Sequence, residues 1–580
     1  MAESTDYDDW SRDRLVERVK ELEQQLQKHK PGTIQNQAAT PAAAAGTRKE
    51  KKRDKKTKKM DPAKYSTRLI ALKLAYLGKR YGGFEYQPGS STPSIEEELW
   101  KALVRSCLIW PEQPDKVDFG PWEYSKCGRT DKGVSAFGQV IGIRVRSNRP
   151  VVEVRERDEG DRNEKGDADA EMAEAEGEAD VGEHGRKPAW DPIADEINYP
   201  KILNRLLPPD IRVLAWAPTL PPDFSARFSC WERQYRYFFT QPAFAPLPGS
   251  LESSKTAPGG TREGWLDIAA MREAAKLFEG VHDFRNFCKI DGSKQITNFT
   301  RRVFEADIVE VDNVGSALPY LSQQDFRPPT CTGEGYPKVY YFHVRGSAFL
   351  WHQIRHMVAI LFAVGQGLEK PSLVTELLDV SKQPRKPNYV MAEEVPLVLW
   401  DCIFPKVDED TPQNRKDVHD PDSEGDISFK DGIDWIWLGE DQPSNLHGAS
   451  GLVNQLWEYW RERKMDELLA SQLLDSVARK PDLSRRLAES GPASKQNDVR
   501  RVFEGGNTAR PTGAYVPVLK RPLMASPEEV NDKWAQSKGF ANAEELASTK
   551  NWRSVIKAAK NGGGSSSSNA AVENSSSVDE

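Results

Sequence analysis

The sequence contains no apolar run long enough to cross a bilayer, and its six cysteines are scattered without a C-x-x-C pair. Because a membrane-spanning helix needs about 20 consecutive apolar residues, we expect no transmembrane segment. The polar, acidic start MAESTDYDDW argues against a secretory signal. The cysteine spacing argues against a disulfide framework and against a structural zinc site, and it fits a reducing compartment.

Apolar residues are few: they make up 38% of the 580 residues, while charged residues make up 29%. The whole length therefore cannot form a hydrophobic core. The residues outside the polar and charged stretches are numerous enough for two subdomains and an extension. The predicted organisation, in chain order, is a short helix and basic disordered tail (1–64), an N-terminal subdomain (65–217) with an acidic disordered insert (153–196), a C-terminal subdomain (218–405), a polar linker (406–432), a mainly helical extension (433–540) and a disordered tail (561–580).

Charge is strongly segregated along the chain, although the net charge is only −7. Residues 156–183 carry thirteen acidic against three basic residues, and residues 48–59 carry nine basic against two acidic ones. A polyanion-binding protein with an acidic loop can have a negative net charge, so nucleic acid is not excluded as a partner. The basic run is interpreted as a solvated tail, a nuclear localisation signal or a phosphate-binding arm. The helix predicted over 10–30 is either solvated or a partner helix.

Hydrophobic periodicity predicts strands and helices that alternate without a regular βαβ order. Predicted strands cover 68–76, 138–146, 211–216, 235–240, 301–312 and 338–345; predicted helices cover 94–107, 198–207, 267–279, 349–367 and 451–478. Such a mixture predicts an α+β fold with a largely antiparallel sheet.

The segment 126–139, KCGRTDKGVSAFGQ, is the densest in potential chemistry. Gly128 and Gly133 bracket the charged Arg129, Asp131 and Lys132, which indicates a tight loop presenting side chains into a cleft. On this pattern alone, an ordinary surface turn with a local ion pair is an equally open interpretation.

The complete segment resembles the signature loop of the TruA family of tRNA pseudouridine synthases. Four further sequence motifs resemble motifs of this family and occur in the same order as in the family: YGGFEYQ, FSARFSCWERQYRY, GVHDFRNF and GSAFLWHQIRH. The words CGRTDKGVSAFGQV and GVHDFRNFCKID, with the tail word 515–519, resemble the eukaryotic branch that modifies uridines 38 and 39 of the anticodon stem-loop. A paralogous branch with broader RNA targets, and a catalytically silent tRNA-binding module on the same scaffold, remain as alternatives.

The resemblance implies two ferredoxin-like subdomains around a central basic cleft, a homodimer, and tRNA as the partner. Asp131 matches the catalytic carboxylate of the family, Arg355 the arginine that pairs with it and lowers its pKa, and Tyr235 the tyrosine that stacks on the target base. Substrate-binding positions carried over are Arg129, Lys132, Arg227 and Leu350, although Leu350 is equally read as a core residue.

The resemblance implies isomerisation of uridine to pseudouridine. This reaction changes no oxidation state, so neither a cofactor nor a metal is expected, and no motif indicates one. The pair His352 and His356 has the spacing of two metal ligands, but no third ligand is evident, and helix packing is the preferred interpretation. We expect the protein in the nucleus and the cytoplasm.

Overall fold

The computed structural model describes residues 60–150, 190–221, 223–245, 264–312, 337–406, 430–440, 442–478 and 500–556. The predicted N-terminal helix, the basic run 48–59, most of the acidic insert and the tail 561–580 lie outside these residues. Within the described part of the chain, no helix combines the length and the apolar character that crossing a bilayer would require.

The described residues form one large sheet, one separate hairpin and several helices. The strands are β1 Ser66–Tyr76, β2 Ser125–Lys126, β3 Ser135–Ser147, β4 Ile211–Ala217, β5 Glu232–Gln241, β6 Gly280–Asp283, β7 Thr300–Glu310, β8 Lys338–Gly346, β9 Leu397–Ile403, β10 Ile436–Trp437, β11 Arg500–Phe503 and β12 Ala509–Thr512. The helices are α1 Ile95–Arg105, α2 Tyr199–Asn204, α3 Ile268–Lys276, α4 Gln353–Gly365, α5 Leu373–Leu378, α6 Pro443–His447, α7 Leu452–Ala478, α8 Pro527–Gln536 and α9 Ala543–Ser548.

The large sheet runs in the order β10-β4-β1-β3-β9-β5-β8-β7-β6, and the short β2 pairs with β3. Its pairs are antiparallel except for β3 and β9, which are parallel through Ser135 and Ala136. The predicted α+β fold with a largely antiparallel sheet is therefore confirmed. The subdomain boundaries given above remain predictions.

Helix α1 packs through one buried face against the first half of the sheet, which consists of β1, β2, β3, β4 and β10. Ser94 caps this helix, since its side chain accepts a hydrogen bond from the backbone N–H of Glu97. The apolar residues Leu99, Trp100 and Leu103 lie on one helical face and are buried in the first core. The predicted helix and its start at Ser94 are thus reproduced.

Strand β3 is more buried than its alternating pattern predicts. Only its arginines Arg144 and Arg146 and the exposed Phe137 escape full burial. Its glycines explain the difference: a Cβ on Gly138 would lie 2.6 Å from Asp401, and one on Gly142 would lie 2.8 Å from Ser125. Neighbouring segments therefore cover both faces of β3, where a half-buried strand was expected.

The second half of the sheet packs against α3 and α4 around a second core. Helix α4 is buried along most of its length, including Met357, Leu361 and Phe362. Strand β9 pairs with β3 of the first half and with β5 of the second half, at Arg236 and Val398 for example. One strand therefore joins the two halves into a continuous sheet.

The C-terminal segments belong to this same body. Strand β10 pairs with β4 at Ile436 and Trp216, at the edge of the large sheet. Glu369 accepts hydrogen bonds from the Tyr515 hydroxyl at 2.8 Å and from the Val518 N–H at 2.7 Å. The sequence predicted the helix 451–478 correctly as α7 but did not identify the β11–β12 hairpin.

Candidate active site

The loop between β2 and β3 is held by the segment that follows β1. The N–H of Phe84 donates to the carbonyl of Thr130 at 3.0 Å, and the N–H of Gly133 donates to the carbonyl of Tyr81 at 3.2 Å. A Cβ on Gly83, whose φ is +113°, would lie 2.9 Å from the Thr130 carbonyl oxygen. The glycines of YGGFEYQ therefore allow this segment to pack directly beneath the loop.

Buried polar side chains fix the start and the middle of the same loop. Tyr76 and Thr130 share a buried hydrogen bond between their hydroxyl oxygens at 2.8 Å. The amide of Gln139, itself fully buried, exchanges two hydrogen bonds with the backbone of Gly128. Asp131 thus stands on a loop with few free torsions, which is the preorganisation that a catalytic carboxylate requires.

The carboxylate of Asp131 is contacted by two side chains of the second half of the sheet. Trp351 Nε1 donates to Oδ1 of Asp131 at 3.2 Å, and Nε2 of His352 lies 3.3 Å from Oδ2. Burial, together with the charges of Arg355, Lys289 and Lys386, lowers the pKa of His352 to about 3. The contact is therefore between a neutral imidazole and the carboxylate, and the pair is not an ion pair at neutral pH.

The short segment before α4 gives Trp351 and His352 their positions. The helix predicted from 349 begins at Gln353, and His352 before it adopts a left-handed backbone with φ of +60°. The Gln353 side chain accepts a hydrogen bond from the Leu350 N–H at 2.8 Å and so caps this turn. Lys289 supports Trp351 from outside, with its Nζ 4.8 Å from the ring centroid.

Arg355 lies in the first turn of α4 and is buried. Its Nε donates to the carbonyl of Ala392 at 2.7 Å, and a terminal nitrogen donates to Oε2 of Glu394 at 2.7 Å. The direct partner of Arg355 is thus Glu394, where the sequence interpretation had placed Asp131. Glu394 in turn lies against the catalytic loop, since a Cβ on Gly133 would be 2.5 Å from its Cγ.

The pKa of Asp131 is raised, whereas the sequence interpretation expected it to be low; that expectation was wrong. Burial is the main cause. The charge of Arg355 and the Trp351 hydrogen bond lower this pKa, and the charge of Glu394 raises it. The guanidinium therefore acts as predicted in direction, but burial outweighs it because Glu394 takes its hydrogen bond.

Tyr235 lies half-buried on β5, the central strand beside β9. Its ring packs edge-to-face on Phe349 with centroids 5.4 Å apart, and it contacts the apolar residues of both cores. Tyr237, two residues on, is fully buried and donates its hydroxyl to the Gly505 carbonyl at 2.8 Å. Tyr237 is therefore the core tyrosine of the pair.

The four predicted substrate-binding residues fall into two groups. Arg129, Lys132 and Arg227 are exposed, and Arg129 Nε lies 3.2 Å from Oε2 of Glu85. Leu350 is 8% exposed and belongs to the second core, which agrees with its alternative interpretation as a packing residue.

Sequence reasoning missed Arg233, which connects three loops around the site. Its guanidinium donates to the carbonyls of Ser347 at 2.9 Å, Cys127 at 3.1 Å and Arg227 at 3.1 Å. Trp351 and Glu394 were also missed. In the sequence Trp351 looks like one more residue of the apolar run 348–351, and its 43% exposure is visible only in the structure. Glu394 carries no signal.

The two histidines of α4 do not converge on one point. Nε2 of His352 contacts Asp131, while Nε2 of His356 lies 2.9 Å from Nζ of the buried Lys386. This arrangement agrees with the packing interpretation. Asp283 caps the turn after β6, because it accepts a hydrogen bond from the N–H of Arg285 at 2.9 Å.

A carboxylate on a glycine-bracketed loop, completed by side chains from the opposite half of a shared sheet, is an arrangement suited to an enzyme active site. A family model described as tRNA pseudouridine synthase matches residues 274–405. The chain is 39% identical over 397 residues to the tRNA pseudouridine(38/39) synthase of Homo sapiens, which covers 68% of this chain and 67% of that protein.

Two further relatives extend the comparison. The tRNA pseudouridine(38/39) synthase of Saccharomyces cerevisiae is 36% identical over 420 residues, covering 70% of this chain and 73% of its own. The tRNA pseudouridine synthase A of Methanothrix thermoacetophila is 28% identical over 313 residues, covering 54% and 75%. The chain belongs to the family of tRNA pseudouridine synthases, as its motifs predicted.

Proposed function

We propose that this protein is an isomerase that converts uridine to pseudouridine at positions 38 and 39 of the tRNA anticodon stem-loop. The observation that carries this proposal is the placement of Asp131: its loop is rigidly held, and Trp351 and His352 contact its two oxygens. Relatives named tRNA pseudouridine(38/39) synthase at 36–40% identity support the choice of positions.

The reaction breaks the bond from the ribose C1′ to N1 of uracil and forms a bond from C1′ to C5. The proton on C5 is lost and N1 gains one, so uracil and ribose keep all their other atoms. One carboxylate that acts as nucleophile or base is sufficient for this chemistry. Asp131 supplies it in the ionised form, which Arg355 and the Trp351 hydrogen bond favour.

Tyr235 and Arg129 would place the uridine. Uridines 38 and 39 lie in or beside a stem, so the base has to leave its stack before Asp131 can reach it. The Tyr235 ring, fixed by the edge of Phe349, offers a face for the extruded uracil. Arg129 is exposed and paired only loosely with Glu85, so its planar guanidinium is free to turn towards the vacated stack or a phosphate.

The direct test is modification of unmodified tRNA transcripts by the purified full chain, followed by mapping of pseudouridine at each position. Asp131→Asn serves as the matched control preparation. Pseudouridine at 38 and 39, absent with the control, supports the proposal. Modification at other uridines only would assign the protein to a synthase of different specificity, and no modification with intact tRNA binding would identify it as a binding module.

We propose further that the enzyme recognises the shape of the whole tRNA. We expect the Gly128–Gly133 loop to supply chemistry and phosphate contacts instead of base reading, and phosphate contacts position an RNA without specifying it. Full tRNA should therefore be modified much faster than an excised anticodon stem-loop, whatever the loop sequence. Equal rates for the two substrates would contradict shape recognition and indicate local reading of the loop.

A homodimer is proposed as the working assembly, because one small protomer does not reach from the tRNA elbow to the anticodon stem. Helix α7 supports it with an apolar row that is 46–68% exposed. The residues of this row are Leu468, Leu469, Leu473, Leu474 and Val477. Light scattering should give twice the chain mass, and Leu469→Glu with Leu473→Glu should reduce it. Ile193→Glu, at an apolar site elsewhere that is 48% exposed, is the control.

The basic run 48–59 is proposed to direct part of the protein to the nucleus, with the remainder in the cytoplasm. Nine basic residues in this run match the composition of such signals and of phosphate-binding arms. Its deletion should reduce nuclear signal in a tagged protein, or weaken tRNA binding modestly, without changing the modified positions. A shifted modification site would contradict both roles.

A further inference from the structure

Three cysteines that lie far apart in the sequence meet beside the catalytic loop. Cys127 begins that loop, Cys230 precedes β5, and Cys402 lies on β9. Their sulfur atoms all lie within 4.8 Å of one another, and the residues are 4%, 0% and 0% exposed. All three are reduced in the structure. Sequence spacing could not show this cluster, because its members come from three different segments of the fold.

The trithiol cluster, Cys127, Cys230 and Cys402, adjoins a buried positive charge. Arg233 is 8% exposed, and its guanidinium bonds to three backbone carbonyls. It stands opposite Cys402 in the sheet. Among the residues that the structure describes, no carboxylate forms an ion pair with it. A buried cation without an anionic partner is costly, so the site favours an occupant that brings negative charge.

Packing alone does not account for these features. Buried cysteine behaves as a small apolar residue, and one such residue needs no further explanation. Here three buried thiols share one point, and nothing in apolar packing calls for the buried charge of Arg233 beside them. Deprotonated sulfurs would compensate it, and a bound cation is what stabilises thiolates in a buried site.

We propose that Cys127, Cys230 and Cys402 form a binding site for a thiophilic divalent cation of the zinc type. Binding breaks three S–H bonds, forms three metal–sulfur bonds and releases three protons to solvent. One divalent ion with three thiolates carries a charge of −1, which balances Arg233. Sulfurs bound to zinc lie about 2.3 Å from the metal and hence roughly 4 Å from one another. The cluster therefore needs to contract by less than about 1 Å.

The site would fix the start of the catalytic loop. Cys127 directly precedes Gly128, and its carbonyl accepts one of the Arg233 hydrogen bonds at 3.1 Å. A cation held by Cys127, Cys230 and Cys402 would tie this loop to β9 and to the segment before β5. We assign the cation a structural role, and its readout is metal content and stability.

The test uses Cd²⁺ as an optical probe of the purified full chain, after removal of metals by a chelator. Because the sulfurs are buried, the chain is incubated overnight with one equivalent of the ion. We expect one Cd²⁺ per chain with a thiolate-to-cadmium charge-transfer band, release of three protons, displacement of any bound Zn²⁺ and a higher unfolding temperature. Protein expressed in zinc-enriched medium should contain about one zinc per chain.

Variants separate this site from other thiols. Cys230→Ser and Cys402→Ser should each lose the band and the rise in unfolding temperature. Cys288→Ser, a buried cysteine outside the cluster, should retain both. Two variants within the cluster are used so that failure of one to fold leaves the other to decide. The proposal is overturned if the band persists in either cluster variant, or if the native chain binds no Cd²⁺ and contains no zinc.

Discussion

Trp351 donates its indole N–H to Oδ1 of Asp131 at 3.2 Å, across 220 residues of sequence. The two residues come from opposite halves of the sheet, so this bond exists only when the halves are joined. Trp351 is 43% exposed at the same time. Its ring therefore lies where it can orient the carboxylate from one edge and meet RNA on its open face.

Removal of that single N–H should slow the chemical step. In Trp351→Phe the aromatic ring is kept, while Asp131 loses a hydrogen bond that favours its ionised form. We expect kcat to fall by about 10- to 100-fold with little change in KM for tRNA. Trp437→Phe, at an equally exposed tryptophan far along the sheet, is the matched control. An unchanged kcat would show that the bond has no catalytic role.

Asp131→Asn should abolish turnover while leaving tRNA binding within about tenfold, since affinity for RNA comes mainly from many phosphate contacts. Loss of a nucleophile or base costs on the order of 10⁴-fold or more. The same variant should be more stable at neutral pH. Because the folded pKa is raised, the folded state binds more protons than the unfolded state just above the ordinary pKa, and stability falls as pH rises through that window.

Arg355→Leu and Glu394→Gln should move the acid limb of the pH–rate profile in opposite directions. Loss of the guanidinium removes a charge that lowers the pKa of Asp131, so the limb moves to higher pH. Loss of the Glu394 charge removes a negative charge that raises this pKa and frees Arg355 to approach Asp131, so the limb moves to lower pH. Saturating tRNA should not restore the rate of Arg355→Leu. Shifts of the same sign would contradict the assigned geometry.

Lys386 offers a test of stability that is independent of catalysis. Burial lowers its pKa from 10.5 to about 8, so between these values the unfolded state binds a proton that the folded state does not. The free energy of unfolding should rise with pH across this window by up to roughly 3 kcal/mol. Urea unfolding of Lys386→Met should lack this rise, while Lys370→Met, at an exposed lysine, should keep it. The same pH dependence in both variants would refute the lowered pKa of Lys386.

The sequence predicted the local elements well because their signals are local. The strand over 68–76 and the helix from Ser94 appear in the structure as Ser66–Tyr76 and Ile95–Arg105. Alternation, capping and apolar spacing are properties of short segments, and they do not require knowledge of what packs against them. The same reasoning underestimated the burial of β3, because that burial comes from Asp401 and Phe224 reaching its glycines.

Site residues could be predicted only where they lie in a sequence motif that resembles the family. Asp131, Tyr235 and Arg355 were identified by resemblance, but the partner of Arg355 is a glutamate from a segment with no recognisable motif. Arg233 and the three cysteines show the same limit. Their roles follow from strands that are neighbours in the sheet and distant in the chain, and no spacing rule reports such neighbours.

The central position of strand β9 makes the sheet dependent on the order in which the chain is synthesised. It lies in the middle of the sheet between β3 and β5, yet it is the last of these three to be synthesised. Until residues 397–403 leave the ribosome, the edge of β5 from Glu232 to Tyr237 has no partner on that side. Unpaired strand edges are templates for association with other chains. The newly made protein therefore keeps an unpaired edge on β5 until β9 has been synthesised, and its active site is completed only then.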